Sequence, residues 1–179
     1  MTRVAVLVRG VNVGTSNRLT MTDLRGVLTD AGGRDVETIL NSGNAVLTAE
    51  PHGLAERVEA SLRGRLSLDV RVLVRTAAEL ADVIAANPFP HKVSEPTLLH
   101  VAFVEPAPAP DWVERVGRRH GDDELAPGPG VLYLSYAAQS HRSPLVPVVK
   151  RYDGVVTARN WATVVRLDER LRGSASASP

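Results

Sequence analysis

The order of hydrophobic periodicities along the chain is the feature that most narrows its fold. Arg3–Arg9 carries five consecutive apolar side chains, which is typical of a strand buried on both faces. Leu24 and Leu28 belong to an apolar stripe at helical spacing, which follows Thr20 as an N-cap and stops at two glycines. The first 75 residues contain the patterns of a strand, a helix, two strands, a helix and a strand. These elements are predicted at residues 3–9, 21–31, 36–40, 45–48, 54–64 and 70–75.

The same order of patterns starts again after a linking helix that ends at Asn87-Pro88-Phe89-Pro90. The second set of elements is predicted at residues 98–104, 111–116, 123–126, 131–136, 144–151 and 155–158, with a last helix from Asn160. Strand, helix, two strands, helix and strand is the order of a ferredoxin-like subdomain. We therefore predict an α+β protein of two ferredoxin-like (βαββαβ) subdomains with antiparallel sheets. Their boundaries are predicted at 1–75 and 97–172, with a linking helix and loop at 76–96 and a disordered tail at 173–179.

Composition excludes several kinds of chemistry. The chain has no cysteine, so disulfides, thiolate metal sites and cysteine nucleophiles are excluded. Its five histidines show no metal-binding spacing, and no Gly-rich nucleotide motif is present, so no metal or cofactor is predicted. The net charge of +1 argues against a strong attraction of the whole chain to nucleic acid or membrane. No stretch approaches the roughly 18 apolar residues of a membrane helix, so a cytoplasmic location is expected.

Topology brings two polar loops together. In a sheet of strand order 4-1-3-2, the end of strand 1 lies at the same edge as the hairpin between strands 2 and 3. The loop Arg9–Arg18 and the hairpin Asn41–Asn44 should therefore converge, and both are rich in Gly, Asn and Ser. These residue types also serve tight turns, and for the hairpin a turn alone is the favoured interpretation. The loop is longer than the about 2–6 residues that such connections need.

A ligand site is the favoured hypothesis for this edge of the sheet. Arg9 would pair with an anion, Asn12 and Asn44 would hydrogen-bond polar groups, and the glycines would permit close backbone approach. The N-terminus of the first helix would add to the attraction for an anion. The candidate residues at this edge are Arg9, Gly10, Asn12, Gly14, Arg18, Ser42 and Asn44.

Two alternatives stay open. The 19 arginines suggest nucleic-acid binding if they share one face, and Phe103, Tyr133 and Tyr136 lie on predicted strands, although no charged RNA-binding run accompanies them. An enzyme has least support, because no nucleophile–base pair can be read from the sequence. The acidic segment His120–Glu124 could bind a cation, but a solvated loop is the favoured interpretation. Trp161 is predicted in the core.

Several motifs, in order, resemble an uncharacterised bacterial family, the domain-of-unknown-function family 1697. They are Arg9–Gly14, Met21–Leu28, Ser42–Asn44, Asn87–Pro90, Leu99–Phe103 and Thr157–Trp161. The resemblance runs from about Thr2 to Leu171 and implies two ferredoxin-like subdomains, with no settled activity and no assigned catalytic residue. Because Arg159 and Asn160 lie within the last motif, they join the candidate ligand-binding residues. The chain departs from the family pattern at residues 140–145, where a lysine-containing segment is usual, and at Ala162, where the family has asparagine.

Overall fold

The computed structural model describes residues 1–14, 17–109 and 111–173. Within them, two antiparallel sheets and their helices form two compact units. The first unit is Met1–Ala78 with the end of the last helix from Leu167, and the second is Glu79–Arg166. Of the predicted disordered tail, residues 174–179 lie outside the described residues.

The first unit has the predicted order of elements. They are β1 (Thr2–Val8), α1 (Met21–Asp30), β2 (Arg34–Ile39), β3 (Asn44–Ala49), α2 (Leu54–Leu66) and β4 (Val72–Thr76). The strands lie in the order β2-β3-β1-β4, and all neighbours are antiparallel. The 4-1-3-2 topology of a ferredoxin-like fold is therefore confirmed for this unit.

Helical stripes and strand faces meet in the core of the first unit. Val4, Val6 and Val8 are buried on one face of β1 and share a cluster with Leu24 of α1 and Leu54 of α2. Burial of this kind contributes about 1.5–3 kcal/mol for each fully buried aliphatic side chain.

The start of α1 matches its sequence signal. Thr20 Oγ1 accepts a hydrogen bond from the Asp23 backbone N–H at 3.0 Å, as an N-cap residue does. The predicted capping residue is therefore confirmed, and it fixes where the long loop after β1 ends.

The edge strand β2 is irregular. Its register with β3 shifts between Arg34 and Glu37, and Asp35 between them adopts a left-handed φ of 51°. Glu37 forms an ion pair with Arg3 of β1. This bulge bends the outer strand and interrupts its regular ladder.

The second unit carries one strand more than predicted. Its elements are α3 (Ala77–Ala85), β5 (Leu99–Glu105), α4 (Trp112–Val116), β6 (Arg119–His120), β7 (Asp123–Gly128), β8 (Val131–Ser135), α5 (Leu145–Lys150), β9 (Val155–Asn160) and α6 (Trp161–Arg172). The first residues of α3 and the last residues of α6 belong to the first unit. Short 3-10 helices lie at Pro90–Lys92 and Ser140–Arg142. The strand order is β6-β7-β8-β5-β9, which is again the 4-1-3-2 order once β6 is set aside.

The turn between the strands predicted at 123–126 and 131–136 is shorter in the structure than those bounds imply. Strand β7 continues through Pro127 and Gly128, so the hairpin consists of Pro129 and Gly130 alone. Proline fits there because β6 pairs only with Asp123 and Glu124, which leaves the later part of β7 at the edge of the sheet. Gly128 is required by packing, since a Cβ would lie 2.3 Å from Cε2 of the Tyr133 ring.

Aromatic rings fill much of the core of the second unit. Phe103 and Tyr133 are fully buried, and the Tyr133 hydroxyl donates to the Val83 carbonyl oxygen at 2.6 Å. Tyr136 packs edge-on against His100, with ring centroids 5.1 Å apart. Trp161 is buried, as predicted.

We expect the tyrosines to resist ionisation in the folded protein. Burial raises the pKa of Tyr133 to about 12, and burial followed by the negative charge of Asp123 raises the pKa of Tyr136 to about 12. A tyrosine in the unfolded chain has a pKa of about 10, so the contribution of these two neutral hydroxyls to the free energy of unfolding is present below that pH. It is lost as the pH rises from 10 towards 12. Phenolate absorbance of the native protein should therefore appear at higher pH than that of the urea-unfolded chain. Superimposable titration curves would contradict this expectation.

Candidate functional site

The loop after β1 and the β2–β3 hairpin are tied together at the base. The Val8 backbone N–H donates to the Gly43 carbonyl oxygen at 2.8 Å. The next residue, Arg9, donates its backbone N–H to the carbonyl oxygen of Arg71, just before β4, also at 2.8 Å. The backbone at the end of β1 is therefore held from both sides, and the loop leaves the sheet from a fixed position.

Asn12 connects the loop to the hairpin through its side chain. Its Nδ2 donates to the carbonyl oxygens of Leu19 and Asn41, both at 2.7 Å, and its Oδ1 accepts from the Leu19 backbone N–H at 2.9 Å. Asn12 adopts a left-handed φ of 55°, a region in which asparagine is enriched. The side-chain amide therefore belongs to the framework of the loop.

Gly43 lets the two segments approach closely. Its φ is 70°, and a Cβ there would lie 2.5 Å from Cγ2 of Val11 and 3.0 Å from Cβ of Val8. Only glycine fits both the backbone conformation and the space. The hairpin thus packs directly on the first residues of the loop.

Asn44 and Ser42 stabilise the hairpin from within. Asn44 is fully buried, and its Nδ2 donates to Ser42 Oγ at 2.7 Å. A longer bond of 3.4 Å reaches the Ile39 carbonyl oxygen. The amide of Asn44 therefore lies beneath the surface that a ligand would touch.

Four of the candidate residues lie at the surface of the same loop. Arg9, Gly10, Gly14 and Arg18 are all exposed. Within the described part of the chain, neither the Arg9 nor the Arg18 guanidinium makes a hydrogen bond or an ion pair. An unpaired guanidinium on a fixed loop can bind a carboxylate or phosphate group with two parallel hydrogen bonds.

Two aliphatic side chains at this end of the sheet were not predicted as part of a site. Val13 in the loop and Leu40 in the hairpin are exposed by 70% and 50%. Leu40 has a left-handed φ of 57°, which turns the chain at the end of β2. Neither exposure was predictable from the sequence pattern, because both residues resemble the continuation of apolar runs.

The amino end of α1 is less available to an anion than the sequence suggested. The Thr20 hydroxyl donates to Oδ2 of Asp23 at 2.6 Å. A carboxylate in the first turn already complements the positive end of the helix dipole. The exposed positive charge at this edge is therefore that of the Arg9 and Arg18 side chains.

Arg159 and Asn160 belong to the second unit, whereas the other candidate residues belong to the first. Arg159 is buried and its NH1 donates at 2.8 Å to Thr157 Oγ1 and to the Ala158 carbonyl oxygen. Burial lowers the pKa of Arg159 to about 10. Asn160 Oδ1 accepts from the backbone N–H and hydroxyl of Thr163, at 2.9 and 2.8 Å, and so caps α6. Both side chains therefore have local structural roles.

The acidic segment His120–Glu124 is only partly the solvated loop that the sequence favoured, since Gly121 and Asp122 form an exposed turn between β6 and β7. Asp123 begins β7 and is buried, with its Oδ1 accepting from the Ala137 backbone N–H at 2.7 Å. Its Oδ2 accepts a hydrogen bond from the Ser143 hydroxyl. The expectation is wrong for Asp123 because strand pairing turns its carboxylate inwards. No cluster of three metal-ligating side chains occurs in the described ranges.

The features that suggested nucleic-acid binding have other roles in the structure. Phe103 and Tyr133 are fully buried and Tyr136 is 4% exposed, so these rings are not available to stack on bases. Eight of the arginines pair with carboxylates among the described residues: Arg3, Arg63, Arg65, Arg71, Arg115, Arg119, Arg170 and Arg172.

A helix needs roughly 20 predominantly apolar residues to span a bilayer. Among the described residues, no helix has both the length and the apolar character required to cross a bilayer.

The fold of this chain is also found in a solved structure of another protein. The chain is similar to a structure titled as the conserved bacterial protein SP0830 from Streptococcus pneumoniae, with a TM-score of 0.73, 23% identity, and coverage of 95% of this chain and 98% of that one. At this identity the likeness shows the fold alone. A second match, to RNA recognition domains 1 and 2 of Sex-lethal from Drosophila melanogaster, has 14% identity, 89% and 99% coverage, and a TM-score of 0.24, which carries no argument.

The sequence itself assigns the family. No curated protein matches the chain significantly. The sequence model of a family described as "Protein of unknown function (DUF1697)" matches residues 1–133, well over half of the chain. The resemblance found in the motifs is thereby confirmed, and the chain belongs to this family of proteins of unknown function, DUF1697.

Proposed function

We propose that this protein binds a small polar ligand carrying an anionic group at the loop of residues 9–18 and the hairpin of residues 42–44. The observation that carries the proposal is the pair of exposed guanidiniums, Arg9 and Arg18, on a loop held in place by Asn12. Neither guanidinium has a partner in the described residues, so both are available to a ligand.

The surrounding residues divide into contacts and framework. Arg9 and Arg18 supply charge-assisted hydrogen bonds. Gly10 and Gly14 have left-handed φ angles with open space where a side chain would stand, so a ligand can approach their backbone. Asn12 joins the loop to the hairpin by donating to the Asn41 carbonyl oxygen, and Asn44 donates to Ser42 Oγ within the hairpin, so these three side chains belong to the framework.

Loop length supports a function beyond connecting two elements. Strand β1 ends at Val8 and α1 begins at Met21, so residues 9–20 form the connection. Most connections of this type need about 2–6 residues, so this connection is longer than joining the two elements requires. Exposed Val13 in the loop and Leu40 at the end of β2 offer apolar contact area at the same end of the sheet, which suits a ligand with a carbon skeleton as well as a charge.

Arg9→Ala and Arg18→Ala are each expected to weaken binding of an anionic ligand about tenfold. Each substitution removes the charge-assisted hydrogen bonds that one guanidinium would donate to the anionic group. Citrate and pyrophosphate are suitable probes, titrated by calorimetry at low and at high salt. Binding should weaken as the salt concentration rises, since exposed charges are screened.

The matched control is Arg34→Ala. Arg34 is also exposed and has no side-chain partner in the described ranges, but it stands at the start of β2, away from the hairpin. The proposal fails if neither probe binds the wild type. It also fails if Arg34→Ala reduces affinity as much as Arg9→Ala and Arg18→Ala do.

The remaining candidates stay predictions. A role for Arg159 and Asn160 in ligand binding has to coexist with their hydrogen bonds to Thr157 and Thr163. No observation on the described residues favours nucleic acid or a reaction over binding of a small ligand at the first unit.

A further inference from the structure

A cavity in the second unit is built by residues that the proposed anion site does not use. Its volume is about 230 Å³, below the range of about 300–1,000 Å³ that holds drug-sized ligands. It is lined by the turn between β6 and β7 and by the segment that follows β8. The principal polar lining residues are His120, Asp122, Asp123, Gln139, Arg142 and Ser143.

Asp123 joins the two walls of this cavity. One carboxylate oxygen accepts from the Ala137 N–H on one segment, and the other accepts from the Ser143 hydroxyl after the 3-10 helix. Ser143 Oγ in turn accepts from the Leu145 N–H at 3.0 Å, at the start of α5. The walls are therefore held by buried and partly buried hydrogen bonds, so the cavity is preformed.

The same carboxylate brings negative charge to the cavity. Asp123 is 6% exposed, and its partners in the described residues are neutral donors rather than cations. The adjacent Asp122 is exposed and also lines the cavity, without an ion pair in the described ranges. A buried carboxylate without a cation gains most from an incoming ammonium group.

Positive charge lies on another part of the wall. Arg142, in the 3-10 helix, is exposed and lines the cavity, and its guanidinium has no partner in the described part of the chain. His120 Nε2 lies 3.0 Å from the Gly117 carbonyl oxygen, which makes that nitrogen the donor. The titratable groups that line the cavity are thus two carboxylates, one guanidinium and one imidazole.

We propose that this cavity binds a small zwitterion, with its ammonium group at Asp122 and Asp123 and its carboxylate at Arg142. The free α-amino acids are the simplest ligands of this class. Their charges are separated by a few bonds, and the cavity volume accommodates their skeletons. The site is independent of the anion site in the first unit, because the two share no residue.

The test uses the full chain and three related probes. L-Glutamine has both charges, N-acetyl-L-glutamine lacks the ammonium, and L-glutaminamide lacks the carboxylate. Binding is followed by NMR shifts of the backbone amides of Gly121, Gln139 and Arg142. We expect saturable shifts with L-glutamine, and about tenfold weaker binding of each analogue, because each loses one charge-assisted contact.

Two variants assign the charges. Arg142→Gln should weaken L-glutamine about tenfold and leave L-glutaminamide unchanged, whereas Asp122→Asn should weaken L-glutaminamide and leave N-acetyl-L-glutamine unchanged. Arg151→Gln is the matched control, since Arg151 is exposed in the same unit but does not line the cavity. The proposal is overturned if L-glutamine causes no shift at these amides, or if Arg142→Gln weakens all three probes equally. Shifts caused by citrate at Gly10 and Gly14 report the anion site, so the two proposals can fail separately.

Discussion

Gly43→Ala is expected to lower the free energy of unfolding by about 3 kcal/mol. The new methyl group would lie 2.5 Å from Cγ2 of Val11 and 3.2 Å from the carbonyl oxygen of Val8, so the hairpin has to move away from the loop. The φ of 70° adds the strain of a left-handed conformation. Urea denaturation followed by circular dichroism measures the loss.

Gly10→Ala is the matched control for this substitution. Its φ of 64° is nearly the same, but no atom lies within 4 Å of the added Cβ. The control therefore isolates the cost of backbone strain, about 1–2 kcal/mol. Equal losses for the two variants would show that the hairpin does not press on the loop as the structure describes.

Asn12→Ala is expected to lower the free energy of unfolding by about 2–3 kcal/mol. It removes all three side-chain hydrogen bonds that join Leu19 and Asn41 to the loop. The Leu19 backbone N–H should then exchange with solvent deuterium much faster than in the wild type. Affinity for citrate should also fall, because Arg9 and Arg18 would no longer stand on a fixed loop.

Asn17→Ala provides the comparison for Asn12→Ala. Asn17 also has a left-handed φ, of 50°, but among the described residues its Nδ2 makes one bond, to the Gly10 carbonyl oxygen at 3.2 Å. The conformational cost of replacing asparagine is therefore similar, while fewer hydrogen bonds are lost. Comparable destabilisation by the two variants would contradict a bridging role for Asn12.

Local patterns were sufficient to predict most of the fold. The Thr20 cap, the apolar run of β1 and the stripe through Leu24 and Leu28 each act within a few residues, and the strand order follows from the βαββαβ sequence of elements. Strand β6 was missed because a strand of two residues, Arg119–His120, has no detectable alternation. The extension of β7 through Pro127 depends on the absence of a neighbouring strand there, which is a property of the sheet.

The candidate site was predictable in position and less so in roles. Topology correctly indicated that the end of β1 meets the β2–β3 hairpin. The amide of Asn12 looked like a ligand contact because its acceptor on Asn41 is 29 residues away in the chain. In the same way, the sequence of the acidic segment does not reveal that the Asp123 carboxylate accepts a hydrogen bond from the hydroxyl of Ser143, which lies 20 residues later in the chain.

The bulge in β2 has a consequence for how the folded chain behaves at high concentration. An outer strand with a regular ladder offers its free backbone groups to a second molecule and can seed aggregates. Here the register shift between Arg34 and Glu37 and the left-handed Asp35 interrupt that ladder. Charged side chains on the same short strand, Arg34, Asp35 and Glu37, also disfavour burial of this edge against a second copy. The distorted edge therefore protects the sheet against edge-to-edge association while the loop at its other end stays open to solvent.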